Sequence, residues 1–307
     1  MSLIIGIDVG GTTIKGALID EEGKLFAEDS IVTGKGEFIA TNVITLCNRL
    51  KSKVGQEVKG VGIGCAGVID SENGTVVLAG NLSLKNFPLA QIVSKSLNLP
   101  VKITNDANAA ALGEAKFGAG KNYSDSILVT LGTGVGGGIV IGGKLFEGYK
   151  SAGAEIGHMV IERGGNRCSC GRAGCFEAYS SATALIKRTK WAMEENPGSE
   201  MWQTYTSETA TGKTAFEYEK TDIAASEVVN WYIKYLACGL VNLANIFRPQ
   251  VIMLGGGVSN QRENLTKPLQ AIVDRETFAS SYAPVKITTA TLGAAAGVYG
   301  AAALLID

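Results

Sequence analysis

Histidine is almost absent from this chain of 307 residues: there is one, His158. Any imidazole chemistry must therefore pass through that position. Long apolar runs are missing too, since no segment reaches the roughly 18–20 residues that span a bilayer. The first residues run straight into a strand-like segment without a charged and then apolar leader, so a cytoplasmic protein is expected. No dense Lys/Arg run occurs and the formal charge is -1, which argues against nucleic acid as the main partner and for a small polar ligand. Nor is there a low-complexity or Pro-rich linker. Two domains, which the length allows, would be joined by a hinge and not by a tether.

What is present is concentrated between Ala154 and Glu177. This stretch reads A-E-I-G-H-M and then, nine residues later, C-S-C-G-R-A-G-C-F-E. It holds His158 and three of the six cysteines, Cys168, Cys170 and Cys175. One imidazole and three thiolates make a complete ligand set for a four-coordinate structural zinc, and Gly171 and Gly174 let so short a loop fold back on itself. The plainer alternative is a set of reduced thiols beside a hydrogen-bonded histidine, and C-x-C departs from the commoner C-x-x-C spacing. Cys47, Cys65 and Cys238 lie in apolar segments, where a free thiol behaves as a small hydrophobe.

The rest alternates strands and helices. Leu3 to Val9 and Ile14 to Ile19 predict a hairpin about a glycine turn, with a third strand from Leu25 to Val32 and a helix from Phe38 to Leu50. Strands follow at Val58 to Cys65 and Pro100 to Thr104, the second leading into a helix from Ala107 to Phe117. A similar unit begins again with strands at Ile127 to Leu131 and Gly138 to Ile141. Gly-Lys-Leu-Phe closes both hairpins, at 23–26 and 143–146, which points to a duplicated domain. Residues 187–221 read as a polar, partly helical excursion. Its Gly212-Lys213-Thr214 resembles the tail of a phosphate loop but lacks the first glycine and the preceding strand. A helix from Ser226 to Asn245, strands at Gln250 to Leu254 and Val285 to Thr289, and a Gly/Ala helix from Leu292 to Leu305 complete the chain.

Three glycine turns follow strands: Gly10-Gly11, Gly132-Thr133-Gly134 and Gly255-Gly256-Gly257. Glycine brings backbone N–H groups close to a phosphate chain without a side chain in the way, although a plain tight turn uses the same residues. Asp8, beside the first turn, could hold a hydrated magnesium ion, with Thr12, Thr13 and Lys15 as phosphate donors; it could also simply cap the turn. Asn105 or Asp106 is suited to be an N-cap, and a carboxylate there could equally accept a proton from a sugar hydroxyl.

Together the motifs D-V-G-G-T-T-I-K-G, T-N-D-A-N-A-A, L-G-T-G-V-G-G-G, E-I-G-H-M, C-S-C-G-R-A-G-C-F-E and L-G-G-G-V closely resemble the ROK family of bacterial sugar kinases and sugar-responsive repressors, in order and over nearly the whole chain. The resemblance implies an α/β fold of the actin-like, ribonuclease H-like type, duplicated into two domains with a cleft between them. The expected division is 1–117 plus about 291–307 for a small domain and 118–290 for a larger one carrying the zinc loop. By the same resemblance Asp106 is the catalytic base, and Asn81, Asn105, Glu155, His158 and Glu177 join it in contacting the sugar. Asp8, Gly10, Gly11, Thr12, Thr13 and Lys15, with Gly132, Thr133 and Gly134 and Gly255, Gly256 and Gly257, bind the nucleotide.

The activity so implied is an ATP-dependent, magnesium-requiring hexose kinase with a structural zinc, acting on the 6-hydroxyl of glucose. A homodimer is implied as well. Gly64-Cys65-Ala66-Gly67 stands where many glucokinases of the family have G-x-P-G, so the sugar-facing turn lacks its proline. N-acetylmannosamine, fructose, allose or a β-glucoside are alternative substrates. A sugar-sensing regulator is the rival class; with the first strand at Leu3, a preceding recognition helix is not expected.

Overall fold

The computed structural model describes residues 2–306, and the chain divides into two compact units. The first comprises Met1–Leu128, Gly138–Ala154 and Thr291–Asp307, the second Val129–Gly137 and Glu155–Ala290. Residues 118–128 and 138–154 thus pack with the first unit, where a boundary at residue 117 was expected.

In the first unit, β1 (Leu3–Val9), β2 (Thr13–Ile19) and β3 (Leu25–Val32) form an antiparallel meander. The helix α1 (Phe38–Ser52) returns the chain so that β4 (Val58–Cys65) lies parallel to β1. Three short strands, β5 (Val68–Asp70), β6 (Thr75–Ala79) and β7 (Leu84–Phe87), make a separate sheet, and α2 (Leu89–Leu97) leads into β8 (Val101–Asn105), parallel to β4. The main sheet has the order β3-β2-β1-β4-β8. The small sheet was not foreseen, because runs of three to five residues are too short to show a period.

The strand β1 is apolar from Leu3 to Ile7 because both its faces are covered there. Leu3, Ile5, Ile7 and Val9 join Leu46 and Leu50 of α1 in one core, while Ile4 packs with Val298 and Ala302 in another. These last two belong to α9 (Ala296–Ala303), which also packs on α3 (Asp106–Phe117). A methyl group on Gly6 would sit 2.0 Å from the Val298 carbonyl oxygen, and one on Gly300 would sit 1.5 Å from that of Ala109. Glycine is therefore required where α9 lies directly on strand and helix backbone. The expected helix from Leu292 to Leu305 is a 3₁₀ turn, Gly293–Ala295, followed by α9.

A second sheet repeats the pattern of the first. The strands β9 (Ser126–Leu131), β10 (Val135–Ile141), β11 (Lys144–Leu145), β12 (Val251–Gly255) and β13 (Lys286–Thr289) take the order β11-β10-β9-β12-β13. Each of the two Gly-Lys-Leu echoes sits at a hairpin turn with a glycine at positive φ, Gly23 and Gly143. The second unit's helices are α4 (Glu177–Ser180), α5 (Ala182–Glu195), α6 (Thr214–Tyr218), the 25-residue α7 (Ile223–Phe247) and α8 (Glu263–Glu276). Asp222 caps α7, accepting the Ala225 N–H at 3.1 Å, and α7 packs against the other four helices of the unit. Lys213 is paired with Glu217 at 3.1 Å on α6, so the Gly212-Lys213-Thr214 stretch is a helix start and not a phosphate loop. No helix among the described residues is long and apolar enough to cross a membrane.

Candidate functional site

In the first unit the chemistry gathers at the ends of three parallel strands. Asp8, next to last in β1, pairs in register with Lys15 on β2 and with Gly64 on β4, and so stands close to the turn Gly10-Gly11-Thr12. The Gly10 N–H donates to the Thr13 carbonyl at 3.2 Å and the Thr33 hydroxyl to the Gly10 carbonyl at 2.7 Å, which fixes the turn. The Asn81 Nδ2 atom lies 3.6 Å from where a Gly11 side chain would begin. Asp8 is held above the ordinary carboxylate range by burial and then by the charge of Asp106, with Lys15 pulling the other way. The same two carboxylates, after burial, help push the Cys65 thiol up to about 12. Cys65 is a buried packing residue.

Asn105 ends β8 and caps α3. Its Oδ1 accepts the N–H groups of Ala107 at 2.9 Å and Asn108 at 3.4 Å, while its Nδ2 donates to the Gly67 carbonyl at 3.0 Å. One side chain therefore fixes both the start of the helix and the turn that follows β4. Asp106, the first residue of α3, is exposed, and its Oδ1 meets only its neighbour's N–H, from Ala107 at 3.0 Å. Standing at the exposed start of α3, this carboxylate is placed to accept a proton. Behind it, Glu147 takes the Thr104 hydroxyl at 2.6 Å and the Ser71 hydroxyl at 2.9 Å. Nothing in the sequence marks Glu147, whose partners lie 43 and 76 positions away.

In the second unit the turn Gly132-Thr133-Gly134 is tied to α5: the Ala182 N–H donates to the Gly132 carbonyl at 2.8 Å and the Thr183 hydroxyl to the Thr133 carbonyl at 2.7 Å. Gly256, at φ 81°, packs so tightly on this hairpin that a side chain would meet the Leu131 carbonyl at 2.5 Å. Two of the three glycine turns are thereby adjacent, and Gly257 faces open space. The segment carrying Glu155 and His158 packs against the same hairpin, because a methyl on Gly157 would lie 1.9 Å from the Val135 carbonyl oxygen. Glu155 is exposed. Glu177, at the start of α4, accepts the Val135 N–H at 3.0 Å and approaches the Ser169 hydroxyl at 3.4 Å.

The four suspected metal ligands converge. One ligand atom from each of His158, Cys168, Cys170 and Cys175 lies within 4.8 Å of all the others. His158 Nδ1 is 3.7 Å from Cys168 Sγ, and Cys170 Sγ is 3.6 Å from Cys175 Sγ. With bonds of roughly 2.3 Å to sulfur and 2.0 Å to nitrogen, the corners of a tetrahedral zinc site stand roughly 3.5–3.8 Å apart, so the set fits that ion. Gly171 and Gly174 both have positive φ, 90° and 85°, as the fold-back requires. The Arg172 backbone N–H leads in lowering the exposed Cys170 thiol below its ordinary value, which favours the thiolate a metal needs.

A cavity of about 970 Å³ is lined by Thr133, Gly134 and Glu177 together with Arg167, Lys187, Arg188 and Trp231. Lys187 opens the polar stretch 187–221 and belongs to α5. The signal that was available is the spacing of Ala184, Lys187, Arg188 and Trp191 along one face of α5.

Comparison with known proteins bears on these arrangements. Residues 4–307 match the ROK family. The glucokinase of Streptomyces coelicolor is 36% identical over 313 residues, covering 99% of this chain and 98% of that protein. The xylose repressor of Caldicellulosiruptor bescii is 34% identical over 314 residues, covering 99% of this chain and 78% of that protein. The crystal structure of a ROK family glucokinase from Streptomyces griseus in complex with glucose and AMPPNP superposes with a TM-score of 0.79 at 35% identity, covering 99% of both chains.

Proposed function

We propose, from the premise that this chain belongs to the ROK family, that it is a sugar kinase transferring the γ-phosphoryl group of ATP to the 6-hydroxyl of glucose. Its fold is the actin-like, ribonuclease H-like α/β fold in duplicated form. The observation that carries the kinase reading over a purely sugar-sensing one is the pair Asp8 and Asp106. Two carboxylates in electrostatic reach, the charge of Asp106 helping to raise the buried Asp8, one beside a glycine turn and one exposed at a helix start, are what phosphoryl transfer asks for and what binding a neutral sugar does not.

Phosphoryl transfer depends mainly on positioning and charge neutralisation. As the hydroxyl oxygen bonds to the γ-phosphorus and the bond to the β–γ bridging oxygen breaks, the hydroxyl proton passes to the Asp106 carboxylate and the bridging oxygen leaves with ADP. Asn105 holds the helix start that carries this base. Asp8, Lys15 and the Gly10-Gly11-Thr12-Thr13 turn would bind the phosphates, with Asn81 beside that turn. Gly132 to Gly134 and Gly255 to Gly257 would bind the nucleotide, and Glu155, His158 and Glu177 the sugar hydroxyls.

Asp8 would hold a hydrated magnesium ion that neutralises phosphate charge. His158, Cys168, Cys170 and Cys175 would hold a structural zinc, leaving Nε2 of His158 for the sugar. Assembly as a homodimer is part of the same reading and is checked by sedimentation.

The test is an ADP-release assay across hexoses, N-acetylhexosamines and glycosides. Glucose is expected to give the highest kcat/KM. Faster turnover of N-acetylmannosamine, fructose, allose or a β-glucoside would displace glucose, and no ADP release with any sugar would overturn the kinase itself.

A further inference from the structure

The cavity beside α5 shares Thr133, Gly134, Cys168 and Glu177 with the sites proposed above, and the rest of its wall has no part in that mechanism. Its electrostatics are one-sided. Arg167, Lys187 and Arg188 line it, and none of the three forms an ion pair with a described residue. The one carboxylate in the wall, Glu177, already accepts the Val135 N–H. An excess of unspent positive charge in a concave site selects an anion.

Arg188 is the best prepared of the three. Its guanidinium lies 4.1 Å from the Trp191 ring centroid and 5.6 Å from that of Trp231, and its Nε is shielded from solvent without a hydrogen-bond partner. Stacking on indole fixes the guanidinium plane while leaving the N–H donors at its edge unused, which suits a planar or tetrahedral oxyanion. A phosphate alone would use only this end. Beyond it stands an aromatic wall in which Tyr235 stacks on Tyr179, ring centroids 4.3 Å apart, and touches Trp231 at 5.2 Å. Flat faces of this kind pack against the C–H faces of a sugar ring, and Asn166 is among the polar residues of the lining. The volume, about 970 Å³, is at the upper end of small-ligand sites.

We propose that this cavity binds a phosphorylated sugar and thereby regulates the kinase. Naming the product class rests on the function proposed above; the anion site itself does not. The coupling is structural. The first turn of α5 is bonded to the Gly132-Thr133-Gly134 turn through Ala182 and Thr183, at 2.8 and 2.7 Å, and the same helix presents Lys187, Arg188 and Trp191 to the cavity. An occupant drawing on these side chains bears directly on the turn assigned to ATP, so occupancy raises the KM for ATP.

Two of the three tryptophans, Trp191 and Trp231, line the cavity, so binding is read by tryptophan fluorescence without turnover. Glucose 6-phosphate, AMP, inorganic phosphate and glucose are titrated separately into the wild type, Lys187→Ala, Arg188→Gln and the inactive Asp106→Asn. Expected is saturable quenching by glucose 6-phosphate, at least about tenfold tighter than by phosphate or AMP, kept in Asp106→Asn and weakened about tenfold or more in Lys187→Ala. Lys187→Ala, an exposed change, keeps its basal kcat and loses the rise in ATP KM caused by glucose 6-phosphate. Quenching undiminished in both cavity variants, or equal for phosphate or AMP, overturns the proposal, as does its absence. Because this readout needs no catalysis, an inactive protein that still shows it would sink the kinase reading alone.

Discussion

The carboxylate of Glu114 accepts the backbone N–H of Leu292 at 2.6 Å, joining residues 178 positions apart. It also accepts the Thr291 N–H at 2.9 Å and, on its other side, the Ala119 N–H at 2.9 Å, with no exposure to solvent. The helix that begins at Asp106 is thus fastened at its far end to the segment leading into α9.

Glu114→Gln sets an amide donor against these N–H groups. A buried donor left unpaired costs about 1–3 kcal/mol, more where a charged acceptor is lost, and each kcal/mol is worth roughly 2–4 °C in a domain of this size. A melting temperature lower by several degrees is expected, together with a fall in kcat. A variant that melts with the wild type would show that the clamp contributes nothing.

Asp106→Asn keeps the shape of the helix start and removes the proton acceptor. General bases contribute about a hundred- to ten-thousand-fold, so turnover should fall within that range while glucose binding, measured by calorimetry, changes little. Unaltered turnover would remove Asp106 from the mechanism.

Asp8→Asn separates stability from activity. The folded-state pKa of Asp8 lies above its ordinary 3.8, so between the two values the native protein binds more protons than the unfolded chain and stability falls as pH rises. That penalty is absent below the unfolded value and complete once the pH has risen past the folded one. The variant should therefore melt higher than wild type at pH 7, lose that advantage as the pH is lowered towards 3.8, and turn over more slowly throughout. A lower melting temperature at pH 7 would contradict the sign.

Cys170→Ala removes one ligand of the proposed zinc. One zinc per chain is expected in the wild type by elemental analysis, with less in the variant, a lower melting temperature and a higher KM for sugar. Chelation should also make the exposed Cys170 reactive towards a thiol reagent, whereas the fully buried Cys47 and Cys65 stay unreactive until unfolding. Stoichiometric protein without zinc would end this reading.

Much of the fold was legible because its parts repeat and each part needs particular residues. The two hairpins have nearly the same turn chemistry, and the four metal-ligand candidates stand out because the one histidine and three of the six cysteines fall within one short stretch. What stayed hidden depends on partners far apart in sequence. Glu114 and Glu147 look like ordinary surface charges until the chain brings Leu292 to one and Thr104 to the other. Gly6 sits in mid-strand, where glycine is unfavourable, and only α9, nearly 300 residues later, explains it. Asn105 shows the reverse case: its position before a helix was read correctly as suited to an N-cap, but the bond to Gly67 that ties the helix to a second turn has no local signature.

The first unit is assembled from three separate stretches of chain, the last beginning at Thr291. On the ribosome, the glycine-lined backbone of β1 and α3 must therefore wait through the synthesis of the whole second unit before α9 exists to cover it. The nascent protein carries an open seam until α9 has been made. Loss of the last turn or two of α9 would leave that seam permanently open.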